Sequence, residues 1–139
     1  MRVFLDTNIL LDAIVKRSES KFTEDARTIL ALGETGVVEL YMSIISIPTI
    51  AYVLRKISRE RQKRIIRDLV LFVKPLPSLP EHIDNIWIGR VDDIEDSLQV
   101  QSAKEGACNL IVTRNCRDFV NAGIPAITPS EFLKKVICA

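Results

Sequence analysis

The pattern of apolar and polar positions at the start of the chain predicts a strand followed directly by a helix. Residues 3–5 are all apolar, as in a short buried strand, and apolar residues recur at helical spacing over residues 9–14. Thr7 and Asn8 are suitable N-cap residues for that helix. Asp6 precedes them, so we expect it where a buried strand emerges at the edge of a sheet.

Strands and helices alternate along the rest of the chain. Further strands are predicted at residues 37–41, 72–76, 109–112 and 126–127. Helices are predicted at residues 23–32, 44–57, 80–90 and 92–105. Ser58 is the predicted N-cap of a further helix, and the last helix begins at Pro129. This alternation predicts an α/β fold with three α/β/α layers, in which a central parallel sheet has four to five short strands.

Length and composition indicate one ordinary globular domain spanning residues 1–139. The chain is 47% hydrophobic and 27% charged, with a formal net charge of +1. Because the overall charge is so small, an argument for a nucleic-acid partner must rest on local clusters of charge. No apolar run is long enough for a membrane span, and no secretion signal is recognisable, so we expect a cytoplasmic protein without membrane association.

Cysteine and histidine offer little support for thiol or imidazole chemistry. The three cysteines, Cys108, Cys116 and Cys138, are odd in number and lack the spacing of a zinc site. His82 is the only histidine, and its position in a loop or first helical turn favours a surface role. Neither of the common glycine-rich phosphate-binding motifs is present.

The acidic cluster at residues 92–96 has two interpretations. At helical spacing Asp92, Glu95, Asp96 and Gln99 share one stripe. The stripe is compatible with a solvated helix N-terminus, where acids complement the helix dipole. Like charges three and four residues apart nevertheless repel one another, and a divalent cation would remove that repulsion.

A third polar segment follows the strand predicted at residues 109–112. Thr113, Asn115 and Asp118 lie there, at the carboxyl edge of the predicted sheet. Asp6 occupies the same edge, although its alternative role is to cap the first helix or complement its dipole. Convergence of Asp6, Asp96 and Asp118 would supply the oxygen ligands that Mg²⁺ or Mn²⁺ prefers.

Four segments together resemble the PIN domain family. They occur in the family's order and span nearly the whole chain, at residues 4–12, 93–99, 111–119 and 127–133. The Glu95–Asp96 pair and the segment from Thr113 to Phe119 are the most specific. The resemblance implies an α/β/α metal-dependent nuclease that cuts RNA, often the toxin of a toxin-antitoxin pair. An antitoxin protein and a second copy of the chain, as a homodimer, are therefore the expected protein partners.

The resemblance also implies roles for individual residues. Matched by position, Asp6, Asp96 and Asp118 would hold Mg²⁺ or Mn²⁺ and form the catalytic centre. The residues expected in supporting roles are Asn8, Thr49, Asp93, Glu95, Thr113 and Asn115. Thr49 is a departure from the pattern, because many PIN domains carry a glutamate on the third helix at this point.

A basic stretch follows the third predicted helix. Its expected RNA-binding residues are Arg55, Lys56, Arg59, Arg61, Lys63 and Arg64. The alternative is a solvated helix face that contacts no ligand.

Three classes of function are compatible with these patterns to different degrees. A metal-dependent ribonuclease is the first, and a PIN-fold module that binds RNA or protein without cutting is the second. A phosphatase or phospho-receiver is the third, but such proteins need a further acid beside the first strand, where Thr7 and Asn8 stand.

Overall fold

The structure, a computed structural model, describes residues 1–15, 20–86 and 93–139. These residues contain a five-stranded sheet in which neighbouring strands pair in parallel, with the order β3-β2-β1-β4-β5. The strands are β1 (Arg2–Leu5), β2 (Glu39–Ser43), β3 (Val73–Leu76), β4 (Leu110–Val112) and β5 (Ala126–Ile127). The prediction of a central parallel sheet is confirmed.

Helices cover both faces of the sheet. The α-helices are α1 (Thr7–Ile14), α2 (Lys21–Glu34), α3 (Ser46–Val53), α4 (Arg59–Val70), α5 (Ile94–Glu105) and α6 (Pro129–Ile137). Two 3₁₀ helices cover Pro80–Asn85 and Cys116–Phe119. Among the described helices, none is both long and apolar enough to cross a membrane.

The strands alternate their apolar side chains between two cores. On one face, Phe4 and Ile111 pack with Val100 of α5. On the other face, Val3 and Leu5 belong to a larger core that includes residues of α1, α2, α3, α4 and α6. Because successive strand side chains point to opposite faces, a fully apolar strand such as β1 contributes to both cores.

The register of β1 and β4 brings two sequence-distant segments together. Leu5 pairs with Val112, and the backbone N–H of Asp6 donates to the carbonyl of Val112 at 3.0 Å. Asp6 and Thr113 therefore leave the sheet side by side at its carboxyl edge. In open α/β sheets ligands bind outside this edge.

Several predicted boundaries need correction. α1 begins at Thr7, so its N-cap is Asp6 rather than Thr7 or Asn8. α2 begins at Lys21, because the Ser20 side chain accepts a hydrogen bond from the N–H of Thr23 and caps the helix earlier than predicted.

The predicted strand at residues 37–41 is shifted to Glu39–Ser43, because Ser43 still pairs with Leu76 of β3. This pairing delays the start of the third helix, which spans only Ser46–Val53. The predicted helix at residues 80–90 begins as the 3₁₀ helix Pro80–Asn85, and its end lies outside the described residues, as does Asp92.

The prediction of a surface role for His82 is wrong. Its side chain is only 5% exposed, and its Nδ1 accepts a hydrogen bond from the backbone N–H of Leu79 at 3.1 Å. The ring thus satisfies a backbone donor at the start of the first 3₁₀ helix. Its burial has a structural reason, because an unpaired backbone N–H in the interior would be costly.

Candidate active site

Asp6 is the most enclosed acid at the carboxyl edge of the sheet. Its residue surface is 3% exposed, and Thr113 Oγ1 donates a hydrogen bond to its Oδ2 at 2.8 Å. Burial raises the pKa of Asp6, although hydrogen bonds from Thr113 and Gln99 oppose part of the rise. The Asp6 side chain makes no full capping hydrogen bond to α1, but the backbone N–H groups of Asn8 and Thr7 at the start of that helix also oppose part of the rise in its pKa.

The first turns of α5 bring the acidic cluster to the same edge. Asp93 is the N-cap residue of α5, and its Oδ1 accepts a hydrogen bond from the N–H of Asp96 at 3.0 Å. Further along the stripe, Gln99 is 1% exposed, and its Oε1 accepts from the backbone N–H of Thr7 at 3.2 Å. The Asp96–Gln99 side of α5 therefore faces α1, whereas Ile94 is exposed on the other side.

Asp96 lies in a strongly unfavourable environment for a negative charge. Burial is the largest cause, and repulsion from Asp6, Asp93, Asp118 and Glu95 adds to it, so that the pKa of Asp96 rises to about 7. The described ion pairs include none with Asp6 or Asp96. Asp6 and Asp96 therefore have no protein cation among these ion pairs, and a bound cation would lower their repulsion.

The acids border a single cleft between α1, α3 and α5. Its volume is about 260 Å³, and the described residues that line it are Asp6, Thr7, Asn8, Leu11, Thr49, Asp93, Glu95, Asp96 and Gln99. The cleft includes most of the site residues expected from sequence. Among the described lining residues there is no lysine or arginine.

Thr49 and its helix form the wall opposite α5. The hydroxyls of Thr7 and Ser46 share a hydrogen bond at 2.7 Å, which fixes the start of α3 against α1. Thr49 follows one turn later and lines the cleft. The departure from the family pattern therefore lies at the cleft itself, where a glutamate would add a carboxylate.

The second 3₁₀ helix places Asp118 and Asn115 at the margin of the site. Both residues are exposed, and neither lines the cleft described above. Asp118 is near enough to raise the pKa of Asp96 by repulsion. The backbone N–H of Asn115 donates to Thr113 Oγ1 at 3.0 Å, so this segment also orients the hydroxyl that binds Asp6.

Two polar side chains at the centre of the site, Thr7 and Gln99, were not among the site residues expected from sequence. Thr7 Oγ1 donates to Glu95 Oε1 at 3.4 Å, and its backbone N–H donates to Gln99. Thr7 and Gln99 therefore connect α1 to the acidic stripe of α5. Gln99 was recognisable on the Asp96 stripe, but only the packing of α5 against α1 shows what it contacts.

The basic residues do not join the acidic cleft. The six are exposed, and none lines that cleft. Lys63 and Arg64 instead border a separate groove of about 340 Å³ on α4, together with the acids Glu60 and Asp68. Because α4 ends at Val70, just before β3 starts, its C-terminal half lies toward the amino edge of the sheet.

The donor set of the cleft suits a hard divalent cation. Among residues 1–15, 20–86 and 93–139, no three acidic, histidine or cysteine side chains are grouped tightly enough to hold an ion by themselves. Mg²⁺ commonly uses one or two carboxylates and keeps several waters, so a closed cage is not required. Carboxylates of Asp6 and Asp96, crowded and lacking a cationic partner, fit such a partly hydrated ion.

A parallel α/β sheet with acids at its carboxyl edge defines the general class of this protein, and comparison with known proteins identifies the family. A model of the PIN domain matches residues 2–117, so the chain belongs to the PIN domain family. The predicted family is therefore confirmed.

Individual relatives agree with this assignment. Ribonuclease VapC1 of Aquifex aeolicus (strain VF5) is 29% identical over 140 residues, which cover 96% of this chain and 94% of that protein. One similar structure is a chain of VapBC2 from Rickettsia felis, solved bound to a DNA fragment from the VapBC2 promoter. Its TM-score is 0.69 at 16% identity, and the match covers 92% of this chain and 98% of that chain. A chain of a toxin-antitoxin complex from Klebsiella pneumoniae has a TM-score of 0.66 at 22% identity, covering 91% and 97% respectively. The similarity to these structures shows the shared fold.

Proposed function

We propose that this single PIN domain, residues 1–139, is a Mg²⁺- or Mn²⁺-dependent endoribonuclease and the toxin of a toxin-antitoxin pair. The observation that carries the proposal is the crowding of Asp6 and Asp96 at one cleft without a protein cation. Similarity to a protein named Ribonuclease VapC1 supports the RNA-cleaving activity. Similarity to a solved toxin-antitoxin complex supports the protein partner.

In this proposal Asp6, Asp96 and Asp118 hold the cation, and Glu95 and Asn8 border it. A bound Mg²⁺ or Mn²⁺ supplies a more acidic water and stabilises the charge that develops on a phosphodiester. Thr113 holds Asp6 in place through its hydroxyl hydrogen bond.

Two further contacts position the first turns of α5. Gln99 accepts the N–H of Thr7 and so fixes α5 against α1. Asp93 caps α5 and thereby orients its first turn, which carries Glu95 and Asp96. The chain's own contribution to catalysis is therefore to orient the acids before the ion and RNA bind, which avoids that reorganisation during the reaction.

The proposed partners follow from charge and from the relatives. RNA is the substrate, and an antitoxin protein is the regulator. The exposed cations of the segment from Arg55 to Arg64 would contact the RNA backbone away from the cleft, because phosphate contacts need only positive charge at the surface. We place the protein in the cytoplasm, where RNA is available, and a homodimer remains part of the hypothesis.

Cleavage of mixed RNA by the purified protein, with Mn²⁺ and with a chelator, tests the proposal. We expect cleavage only with the metal. Asp6→Asn should abolish it while keeping the fold, because an amide can still accept the Thr113 hydrogen bond. Asp84→Asn, which neutralises an exposed acid outside the cleft, is the matched control and should cleave normally. Undiminished metal-stimulated cleavage by Asp6→Asn would contradict the assignment.

A second candidate function is a PIN-fold module that binds RNA or protein with little or no cleavage. The presence of Thr49 at the cleft, where an acid is expected, favours it. The same assay separates the two candidates. RNA binding without cleavage at any Mn²⁺ or Mg²⁺ concentration would favour the binding module.

A further inference from the structure

Phe22 presents an aromatic ring to solvent near the carboxyl edge of the sheet. It lies in the first turn of α2 and is 50% exposed. The Arg114 guanidinium lies over the ring, with its central carbon 5.0 Å from the ring centroid. Such a contact is a cation–π interaction, and it holds the ring against one side of Arg114 while leaving much of the ring accessible.

Arg114 is itself fixed by a buried acid. Its Nη1 lies 3.3 Å from Oδ1 of Asp12 and 3.3 Å from Oδ2, and Asp12 is only 5% exposed. A buried carboxylate needs such a cation, so the guanidinium is kept in one position. Phe22 and Arg114 are thus already ordered before any ligand binds, which lowers the entropic cost of binding.

This pair is connected to two segments that border the acidic cleft. Asp12 follows Asn8 by one helical turn on the same stripe of α1, and Asn8 lines the cleft. Arg114 directly follows Thr113, whose hydroxyl binds Asp6. Arg114 and its partner Asp12 therefore belong to two segments that also carry residues of the candidate active site.

The cleft is acidic, so it would repel the phosphates of an RNA strand. Four of the described residues that line the cleft are acids, Asp6, Asp93, Glu95 and Asp96, and none is lysine or arginine. A bound metal ion compensates for these acids only at the reacting phosphate, so the neighbouring phosphates of an RNA strand need positive charge elsewhere. Arg114 pairs with Asp12 through Nη1, so its other N–H groups can donate to a phosphate, and Phe22 adds a flat surface of the kind on which single-stranded bases stack.

We propose that Phe22 and Arg114 form a subsite for one nucleotide of single-stranded RNA beside the cleaved phosphate. The base stacks on the free face of Phe22, and its phosphate lies near the Arg114 guanidinium. This inference rests on the proposed ribonuclease function. Within the described residues a second exposed Arg–aromatic pair, Arg55 with Tyr52, does not line the cleft, and its guanidinium donates a hydrogen bond to the carbonyl of Tyr52 itself.

Binding of short fluorescent RNA, measured by anisotropy in a chelator so that nothing is cut, tests the subsite. Phe22→Ala should raise Kd by roughly tenfold, the usual effect of losing one stacked base. Phe22→Trp should retain binding, because it keeps an aromatic face. Ile83→Ala removes an exposed apolar side chain from the first 3₁₀ helix and serves as the matched control. An unchanged Kd for Phe22→Ala would overturn the proposal.

Abasic RNA locates the stacked base. An oligonucleotide series with one base removed at successive positions should show one position that weakens binding to the parent protein, and Phe22→Ala should be insensitive at that position. If removing the base at that position weakens binding equally in the parent and in Phe22→Ala, the base contacts another residue and the subsite is overturned.

The phosphate contact is tested by salt. Asp12→Asn combined with Arg114→Gln replaces the ion pair by a neutral hydrogen-bonding pair, so no buried charge is left uncompensated. The slope of log affinity against log salt should fall by about 0.7, the value for one phosphate contact on a single strand. An unchanged slope would exclude Arg114 as that contact.

Failure of this subsite can be told apart from failure of the proposed function. If metal stimulates cleavage but the abasic pattern does not depend on Phe22, the ribonuclease function is supported and the subsite is wrong. If the abasic pattern depends on Phe22 but no RNA is cleaved, the subsite is supported and the protein is an RNA-binding module. Absence of RNA binding by the parent protein overturns the subsite, and the cleavage assay then decides the ribonuclease separately.

Discussion

Neutralising Asp96 should stabilise the metal-free protein at neutral pH. In the folded state Asp96 is half-buried and repelled by Asp6, Asp93, Asp118 and Glu95, so that its pKa rises from 3.8 to about 7. The unfolded chain lacks these effects. Between these two pKa values the folded protein therefore binds more protons than the unfolded chain, and the free energy of unfolding falls as pH rises.

The size of the effect follows from this pKa. A rise from 3.8 to about 7 would correspond to about 4 kcal/mol if the group were fully shielded from solvent. Asp96 is only half-buried, so solvent screens the repulsion, and we reduce the expected effect to about 1 to 2 kcal/mol. For a chain of this length, that corresponds to a rise in Tm of about 3 to 7 °C for Asp96→Asn.

Thermal unfolding in a chelator, followed by circular dichroism from pH 4 to pH 8, measures this effect. The difference in Tm between Asp96→Asn and the parent should be near zero at pH 4, where the acid is protonated, and should grow toward pH 8. Asp84→Asn, at an exposed site outside the cleft, should show no such trend. Added Mn²⁺ should stabilise the parent more than Asp96→Asn. Destabilisation by Asp96→Asn, or a difference that does not change with pH, would refute the inferred crowding.

Two further substitutions examine the cleft and the basic segment. Thr49→Glu adds a carboxylate to the cleft, so it should tighten Mn²⁺ binding measured by calorimetry and raise ribonuclease activity; no gain in metal binding would indicate that a neighbouring acid already serves this role. Replacing Arg61, Lys63 and Arg64 together by alanine should reduce the salt dependence of RNA affinity, measured by anisotropy, because each phosphate contact contributes a slope of about 0.7 on single strands. An unchanged slope would place the RNA elsewhere.

The sequence alone determined the elements whose signals are local. The predicted cap at Ser58 is confirmed, because its side-chain oxygen and the N–H of Arg61 that it binds are only three residues apart. The position of Asp6 at the end of β1 was equally readable, since an apolar run and the helical spacing that follows lie within a dozen residues. The all-parallel sheet followed from the alternation of strands and helices.

The tertiary structure decided which polar groups meet. Thr113 binds Asp6 across 107 positions of sequence, and Gln99 binds Thr7 across 92 positions. No local pattern encodes such pairs, because they depend on the β1–β4 register and on how α5 packs against α1. The sequence placed His82 at the surface although its hydrogen-bond partner Leu79 is only three residues away, because the burial of the ring depends on the packing of the first 3₁₀ helix against α5.

The Arg114 contacts illustrate the same limit. In the sequence, Arg114 is one cation within a polar segment, Asp12 belongs to the first helix, and Phe22 directly precedes the helix predicted at residues 23–32. Only the folded chain brings the three together. Local periodicity determines where an element begins and which face is apolar, whereas the position of a charge relative to a distant partner depends on the packing of whole elements.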